Sequence, residues 1–347
     1  MKKKIAIVAG GDSSEYVVSL RSAQGIWSFL NHEKYEVSII VIKGTDWKYV
    51  PYDGKEYDWD HSLPVNREDF SVTLSENAQT LDTLTREGRE GVLSFDFAYI
   101  IIHGTPGENG ILQGYFDLIG MPYSCCGVLA ASITCSKFTC NRYLSTFGIP
   151  VAKSILLRQG EEVGTEECIG QLGLPVFVKP NGGGSSYATF KVKTAEELQP
   201  AIAAAHQEAT GEVIIESFMQ GTEITCGCYT SREGLRALPI TEVVSKKEFF
   251  DLDAKYNGAV EEITPARLSS EMTLRVQELT KRIYGYIGAK GIIRVDYIII
   301  GDTPHLLEVN TTPGMTATSF IPQEVRAAGL DIKDVMDDVI AFGLKEV

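Results

Sequence analysis

Ile292-Ile293-Arg294-Val295-Asp296-Tyr297 and, past Gly301-Asp302-Thr303-Pro304, Leu306-Leu307-Glu308-Val309-Asn310 are the segments on which the reading of this 347-residue chain turns. Both read as strands, and the turn would fold them together. Side chains alternate along a strand, so Arg294 and Asp296 share one face, as do Glu308 and Asn310. A plain four-residue loop would set the two pairs on opposite faces. For both to point the same way, the pairing must carry an odd loop or a bulge, and one is expected. Two carboxylates and an amide oxygen suit a magnesium ion whose octahedron is completed by phosphate oxygens and water. Arg294 would then sit beside a transferring phosphoryl group. The plainer alternative, an exposed salt-bridged face, fits less well: apolar neighbours bury both strands, and buried carboxylates without a cation are costly.

Working outward, residues 5–9 are apolar, Gly10-Gly11-Asp12-Ser13-Ser14-Glu15 follows, and a helical period runs through Leu20, Ala23 and Ile26 to Leu30. This is strand, glycine turn and helix, with the next strand at 37–42. Such an opening is α/β of the doubly wound type, with ligands at the carboxyl ends of strands. The turn lacks G-x-G-x-x-G, which argues against a dinucleotide site. Residues 44–90 are polar and read as hairpins or an insertion. A buried strand at 95–102 delivers His103-Gly104-Thr105-Pro106-Gly107-Glu108-Asn109-Gly110 to a loop. A helix over 112–119 then closes a first domain, 1–126.

Residues 127–148 are helical by periodicity and end at Gly148-Ile149-Pro150. Strands at 154–157, 176–179 and 188–192 alternate with helices at 162–172 and 194–208, giving a small α+β second domain, 127–212. From 213 onward strands dominate (213–216, 222–229, 237–244, 292–300 and 305–309), with one long helix over 270–288. These form a third domain, 213–347.

The chain carries 32 Lys+Arg against 46 Asp+Glu, a net charge of −14, and such a field repels nucleic acid and anionic membranes. The start, with five apolar residues before its glycines, is expected to be a strand and not a signal peptide. No stretch approaches the ~20 apolar residues of a membrane helix. The seven cysteines form no paired C-x-x-C set and suit a reduced cytoplasm. Cys226-Gly227-Cys228 is read as buried thiols in a strand, not as a metal or redox site.

A second chemical signal is Val178-Lys179-Pro180-Asn181-Gly182-Gly183-Gly184-Ser185-Ser186. Glycines let backbone N–H groups approach phosphate oxygens, and a lysine at the strand end adds a point charge. It is not a Walker A loop, since G-K-[ST] is missing, and a bare glycine loop is more often a hairpin turn. Singly, other candidates have ordinary readings: Glu15 as a helix-dipole partner, His103 as a turn residue, and Lys137, Lys255 and Tyr256 as solvated side chains.

Taken in order, the blocks Gly10 to Glu15, His103-Gly-x-x-Gly-Glu108-x-Gly110-x-x-Gln113-Gly114, Pro122-Tyr123, Val178-Lys179-Pro180, Gly184-Ser185-Ser186, Lys255-Tyr256, Arg294-Val-Asp296 and Glu308-Val-Asn310-Thr-x-Pro-Gly314-Met-Thr316 resemble the D-alanine–D-alanine ligases of the ATP-grasp superfamily. The resemblance covers nearly the whole chain. It implies an ATP-grasp architecture, an N-terminal α/β domain followed by two α+β subdomains that sandwich ATP. It also implies ATP as co-substrate, two magnesium ions on Asp296, Glu308 and Asn310 (manganese substituting), D-alanine as substrate, a homodimer, and a place in peptidoglycan synthesis.

Carried over by resemblance, Lys137 and Lys179 contact the nucleotide phosphates, with Lys255 joining the ATP-binding set, and Glu216 and Glu223 serve the adenine and ribose ends. The loop Gly184 to Ser186 covers the phosphates. Glu15, networked with Ser185 and Tyr256, receives the first D-alanine's ammonium, His103 joins the substrate site, and Ser319 and Lys255 receive the second substrate's carboxylate. Gly314 N–H and Arg294 face the oxyanion, and the 182–186 and 246–258 loops close to exclude water. The sequence departs from the commonest family wording at Tyr16, Asn109, Ser136, Asn141, Tyr187 and Ala188. None of these removes a proposed metal ligand or the Glu15–Ser185–Tyr256 network. The competing readings are a D-alanine–D-lactate depsipeptide ligase, disfavoured by Tyr256, and a non-catalytic ATP-binding regulator.

Overall fold

Alternation and the glycine turn produce the expected opening. In the computed structural model, which describes residues 1–50, 52–55, 95–184, 188–207, 211–245 and 260–346, β1 (Lys3–Gly10) leads to α1 (Tyr16–Phe29) and β2 (Tyr35–Lys43). Every residue of β1 from Ile5 to Ala9 is buried, as a central parallel strand covered on both faces requires. β1 pairs in parallel with β2 and with β4 (Phe97–Ile100). β3 (Asp46–Val50) folds back antiparallel on β2, a hairpin within the polar stretch; residues 51 and 56–94 lie outside the described residues. α1 buries Leu20, Ala23 and Ile26 with Ile5, Ile7 and Ala9. α2 (Ile111–Leu118) covers the other face, putting Leu112 and Phe116 with Ala6, Val8 and Ile100.

The expected single helix over 127–148 is two, α3 (Val128–Cys135) and α4 (Lys137–Ser145). Ser136 between them is extended, and its hydroxyl accepts from the N–H of Thr139, an N-cap that restarts the helix at Lys137. The next sheet runs in the order β5 (Ser154–Leu157), β8 (Val213–Ser217), β6 (Val176–Pro180), β7 (Phe190–Val192), backed by α5 (Thr165–Leu172) and α6 (Ala195–Ala205). The strand at 213–217, expected to open the third domain, instead pairs antiparallel with both β5 and β6 in the middle of the second sheet. A boundary at 212/213 therefore does not coincide with a sheet boundary.

The third sheet has the order β12 (Val260–Ile263), β11 (Thr241–Ser245), β9 (Thr222–Ser231), β13 (Ile292–Ile300), β14 (Thr303–Asn310), with β10 (Gly234–Ala237) also on β9. The expected strand 237–244 is thus split into β10 and β11. One face of this sheet is apolar: Ile224, Cys226, Cys228, Ile293, Val295 and Tyr297 pack on Val276, Leu279 and Ile283 of α7 (Ser270–Tyr286). Each large apolar side chain among them contributes about 1.5–3 kcal/mol by burial. Cys226 and Cys228 are the buried free thiols the sequence suggests, and burial pushes both thiols up. Two further helices, α8 (Phe320–Ala327) and α9 (Ile332–Gly343), close the chain; Val335, Met336, Val339 and Ile340 of α9 enter the core of the first sheet. Among the described residues no helix is long and apolar enough to cross a membrane.

Candidate active site

The other face of the third sheet is polar, and one irregularity makes it so. From Ile300↔Thr303 to Tyr297↔Leu306 the β13–β14 ladder is plain; the register then shifts, so that Asp296 opposes Glu308 and Arg294 opposes Asn310. Leu307 is the extra residue of this bulge, and the expectation drawn from alternation is met: all four polar side chains share a face. β9 adds Thr225 opposite Asp296 and Glu223 opposite Ile298 on that face.

The Arg294 guanidinium grips Asp296 bidentately, Nε to Oδ1 at 2.9 Å and Nη2 to Oδ2 at 2.8 Å. Asn310 Nδ2 donates to Oδ2 at 3.0 Å and the Thr225 hydroxyl to Oδ1 at 2.5 Å. Burial works against the Arg294 cation, but Asp296, Glu308 and Glu324 outweigh it and hold its pKa above the usual range. Burial first, then Asp296 and Glu308, raise the Glu223 carboxyl to about 7.

The second sheet supplies cations above this floor. Lys137, first residue of α4, lies 3.9 Å from the Glu308 carboxylate and donates to the Gly183 carbonyl at 2.6 Å. Lys179, near the end of β6, pairs with Glu216 at 2.6 Å, and Glu216 also accepts from Asn141 Nδ2 at 3.2 Å. The loop itself is braced by Asn181, whose Oδ1 accepts from the N–H of Phe138 at 2.9 Å and whose Nδ2 donates to the Ser136 hydroxyl and to Glu212, each at 2.9 Å. Sequence reasoning does not single out Asn181, although its position between Pro180 and the glycines is an available signal.

The first sheet contributes from its carboxyl ends. A Cβ on Gly184 would lie 2.5 Å from a Glu15 carboxylate oxygen, so the loop passes close to the start of α1 and a side chain there would displace that carboxylate. His103 is buried, its Nε2 3.3 Å from the Ser22 hydroxyl. Glu108, present in the quoted blocks but given no role there, accepts from Gly104 N–H at 2.8 Å and Thr312 N–H at 3.3 Å, tying this loop to the segment after β14. On that segment the Ser319 hydroxyl lies 2.8 Å from Thr316 Oγ1, and a Cβ on Gly314 would be 3.0 Å from Ser319 Oγ. Phe320, next along, lies under the Arg294 guanidinium at 5.2 Å.

Glu15, His103, Gly184, Gly314, Ser319 and the Arg294 face are therefore linked through neighbouring contacts, and Lys137, Lys179, Glu216 and Glu223 line the side between the second and third sheets. Ser185, Ser186, Lys255 and Tyr256 lie outside the described residues. Among the described residues no group of three His, Cys, Asp or Glu side chains is arranged to hold a metal; the expected trio instead counts an asparagine oxygen.

Comparison with known proteins bears on this arrangement directly. The D-ala D-ala ligase N-terminus family matches residues 4–126 and the D-ala D-ala ligase C-terminus family residues 143–341. A D-alanine–D-alanine ligase from Bacteroides fragilis is 60% identical over 98% of this chain and 99% of its own length. One from Porphyromonas gingivalis is 50% identical over 100% of this chain and 99% of its own. Among solved structures, a D-Ala:D-Ser ligase from Enterococcus faecalis superposes with TM-score 0.81 at 29% identity, covering 99% of this chain and 100% of that one. A D-alanine–D-alanine ligase from Bacillus anthracis complexed with ATP superposes with TM-score 0.74 at 27% identity, covering 99% and 98%. The fold is the ATP-grasp architecture these ligases share, and the chain belongs to the D-alanine–D-alanine ligase family.

Proposed function

We propose that the protein uses ATP to join two D-alanines through a D-alanyl phosphate, giving D-alanyl-D-alanine, ADP and phosphate for peptidoglycan precursors. The observation that carries this reading is the bulge-set face of Arg294, Asp296, Glu308 and Asn310 beneath Lys137 and Lys179, within a chain of this family. Phosphoryl transfer asks the protein for positioning and charge neutralisation more than for covalent chemistry, and that face with its lysines provides both.

The donor set fits a hard cation. Asp296 and Glu308 stand opposite each other across the ladder, and Asn310 directs its amide N–H to Asp296, leaving its oxygen for other work. Asp296, Glu308 and Asn310 would hold magnesium, or manganese in its place, which when bound supplies Lewis-acid neutralisation of the phosphates.

In the first step a D-alanine carboxylate, its ammonium on Glu15 in a network with Ser185 and Tyr256 and near His103, attacks the γ-phosphorus, and ADP leaves. Lys137, Lys179 and Lys255 bind phosphates under the Gly184 to Ser186 loop, while Glu216 and Glu223 serve the base and ribose. The bidentate grip of Asp296 fixes Arg294 beside the moving phosphoryl group. In the second step the amine of the other D-alanine, its carboxylate held by Ser319 and Lys255, attacks the acyl phosphate, and phosphate leaves. The oxyanion would be met by Gly314 N–H and Arg294. A first domain over 1–126 followed by two subdomains, cytoplasmic location and a homodimer complete the proposal.

Phosphate release measured with a panel of D-amino and D-hydroxy acids tests it. Release with D-alanine as both substrates is expected. Release only with a D-hydroxy acid as the second substrate points to a depsipeptide ligase, and ATP binding without release points to a regulator. Tyr256→Phe is expected to relax the choice between D-alanine and D-lactate; unchanged discrimination at neutral pH would overturn that role.

A further inference from the structure

Helix α8 carries an acidic residue where its pattern calls for an apolar one. Ile321 and Val325 are fully buried, and Glu324, on the same side of the helix, is 0% exposed. Among the described residues its hydrogen-bond partners are uncharged. Its Oε2 accepts from the backbone N–H of Gly227 at 2.7 Å, and its Oε1 from the Thr241 hydroxyl at 3.2 Å, which in turn lies 2.7 Å from Thr264 Oγ1.

These partners have a reason to be available. β10 leaves β9 at Ala237↔Cys228, and β11 joins it at Thr241↔Thr225. Over residues 238–240 the neighbouring strand is out of the ladder, and Gly227 lies on β9 beside that break. Its carbonyl still accepts from Leu238 N–H, but its N–H would be a buried orphan donor without Glu324. The carboxyl group takes the place of a strand carbonyl. Gly227 is also the residue opposite Arg294 in the β9–β13 ladder. A Cβ there would lie 2.6 Å from both Glu324 Oε2 and Ile321 Cδ1, so glycine is what admits the side chain.

Phe320, one helical turn before Glu324 and so on the same face, touches the Arg294 guanidinium. Ser319 is the N-cap of this helix. We infer that Glu324 is a positioning residue that pegs helix α8 into the break between β10 and β11, and so holds Ser319 at the fixed distance from Arg294 that the attacking second substrate requires. Burial pushes the Glu324 carboxyl well above its usual range, against the Gly227 N–H, Arg294 and Thr241, which pull it down. A neutral acid can donate to Thr241 while accepting from Gly227. The amide of glutamine can do both.

The inference rests on the ligase reading above. Its test uses hydroxylamine, which captures the acyl phosphate as a hydroxamate without the second amino acid and so reports the first step alone. In Glu324→Ala the KM for the second D-alanine is expected to rise about 10-fold, while hydroxamate formation and its dependence on ATP and D-alanine change less than about two-fold. Glu324→Gln is expected to restore the parent values. Gly227→Ala pushes the helix off its seat from the opposite side without deleting the acid, and is expected to repeat the selective loss. Equal loss of both activities, failure of glutamine to rescue, or an unchanged KM for the second D-alanine would overturn the inference. Absence of both products from the parent protein would instead overturn the ligase reading on which it stands.

Discussion

Lys179→Met, Glu216→Gln and their combination separate the nucleotide role proposed for Lys179 from its part in the fold. The two side chains are 11% and 5% exposed, with Nζ and Oε2 2.6 Å apart, and Glu308 and Glu223 add to the negative field around the ammonium. Removing the lysine alone leaves a buried carboxylate facing two others, a loss of about 3–5 kcal/mol. Changing Glu216 to glutamine at the same time removes the orphan charge and keeps an acceptor for Asn141, so the double variant should lose only about 1–2 kcal/mol for the missing hydrogen bond. The double variant is then about 2–3 kcal/mol more stable than Lys179→Met, and the coupling energy of the cycle, measured from urea midpoints, is that difference plus the loss in Glu216→Gln alone. ATP affinity by calorimetry should behave otherwise. A lysine-to-phosphate contact of about 2 kcal/mol is absent from both lysine variants, so each binds about 30-fold more weakly whether or not the fold is relieved. If the double variant is as unstable as Lys179→Met, the pair is not coupled as argued. If ATP affinity returns in the double variant, Lys179 acts only by neutralising Glu216.

Three other outcomes follow from particular contacts. Glu223 has its folded pKa raised to about 7, so the ligand-free folded protein binds more protons than the unfolded chain between pH ~4.5 and ~7. Stability from this group is thus fully present below the unfolded pKa and falls as pH rises through the folded one, by up to about 1.4 kcal/mol per unit. Glu223→Gln should flatten that slope, and an unaltered slope in urea titrations would rule the residue out as its source. Asp296→Ala removes the bidentate grip on Arg294 and the bonds from Asn310 and Thr225; D-alanine-dependent phosphate release should vanish and stability fall by about 2–4 kcal/mol, and retained release would dismiss the metal trio. Gly25→Ala would place a Cβ 2.0 Å from the Met315 carbonyl, forcing α1 away from the segment that carries Gly314. A stability loss of about 1–3 kcal/mol with a lowered kcat is expected, and a lowered Tm with unchanged kcat would show that the segment is not coupled to α1.

Elements with a clean period are legible in the sequence: β1, α1, β13, β14 and α7 lie where alternation or helical spacing puts them. The elements that escape it are settled by partners far along the chain. Residues 213–217 look like any apolar strand, and only pairing with β5 and β6 assigns them to the second sheet. The break at Ser136 is signalled weakly, by a capping residue inside an otherwise continuous helical pattern. α9 joins the core of the first sheet from the far end of the sequence, packing against α1, a contact no local pattern carries. In the site, Asn181 and Glu324 escape for one reason: each satisfies backbone or side-chain groups that become neighbours only after folding. Glu324 does leave a trace, an acid flanked at helical spacing by Ile321 and Val325.

The bulge at Leu307 shows why the polar face of Asp296 and Glu308 follows from local sequence while the seat of Glu324 does not. A one-residue change of register turns every later side chain to the other face. Were the ladder to continue without the bulge, Leu307 would oppose Asp296 and Glu308 would oppose Val295, and its carboxylate would enter the cluster of Ile293, Val295 and Tyr297 against α7. That arrangement buries an unpaired charge, at a cost no neighbouring contact offsets. Sequence alone therefore excludes the regular ladder, because the penalty is visible in two strands joined by a short turn. The penalty that fixes Glu324 is of the same kind, a buried donor without an acceptor, but its donor on Gly227 stands 97 residues away. Both devices serve one surface: the bulge turns the carboxylates to the face proposed to meet the phosphates, and the peg holds the helix that would deliver the second substrate to Arg294.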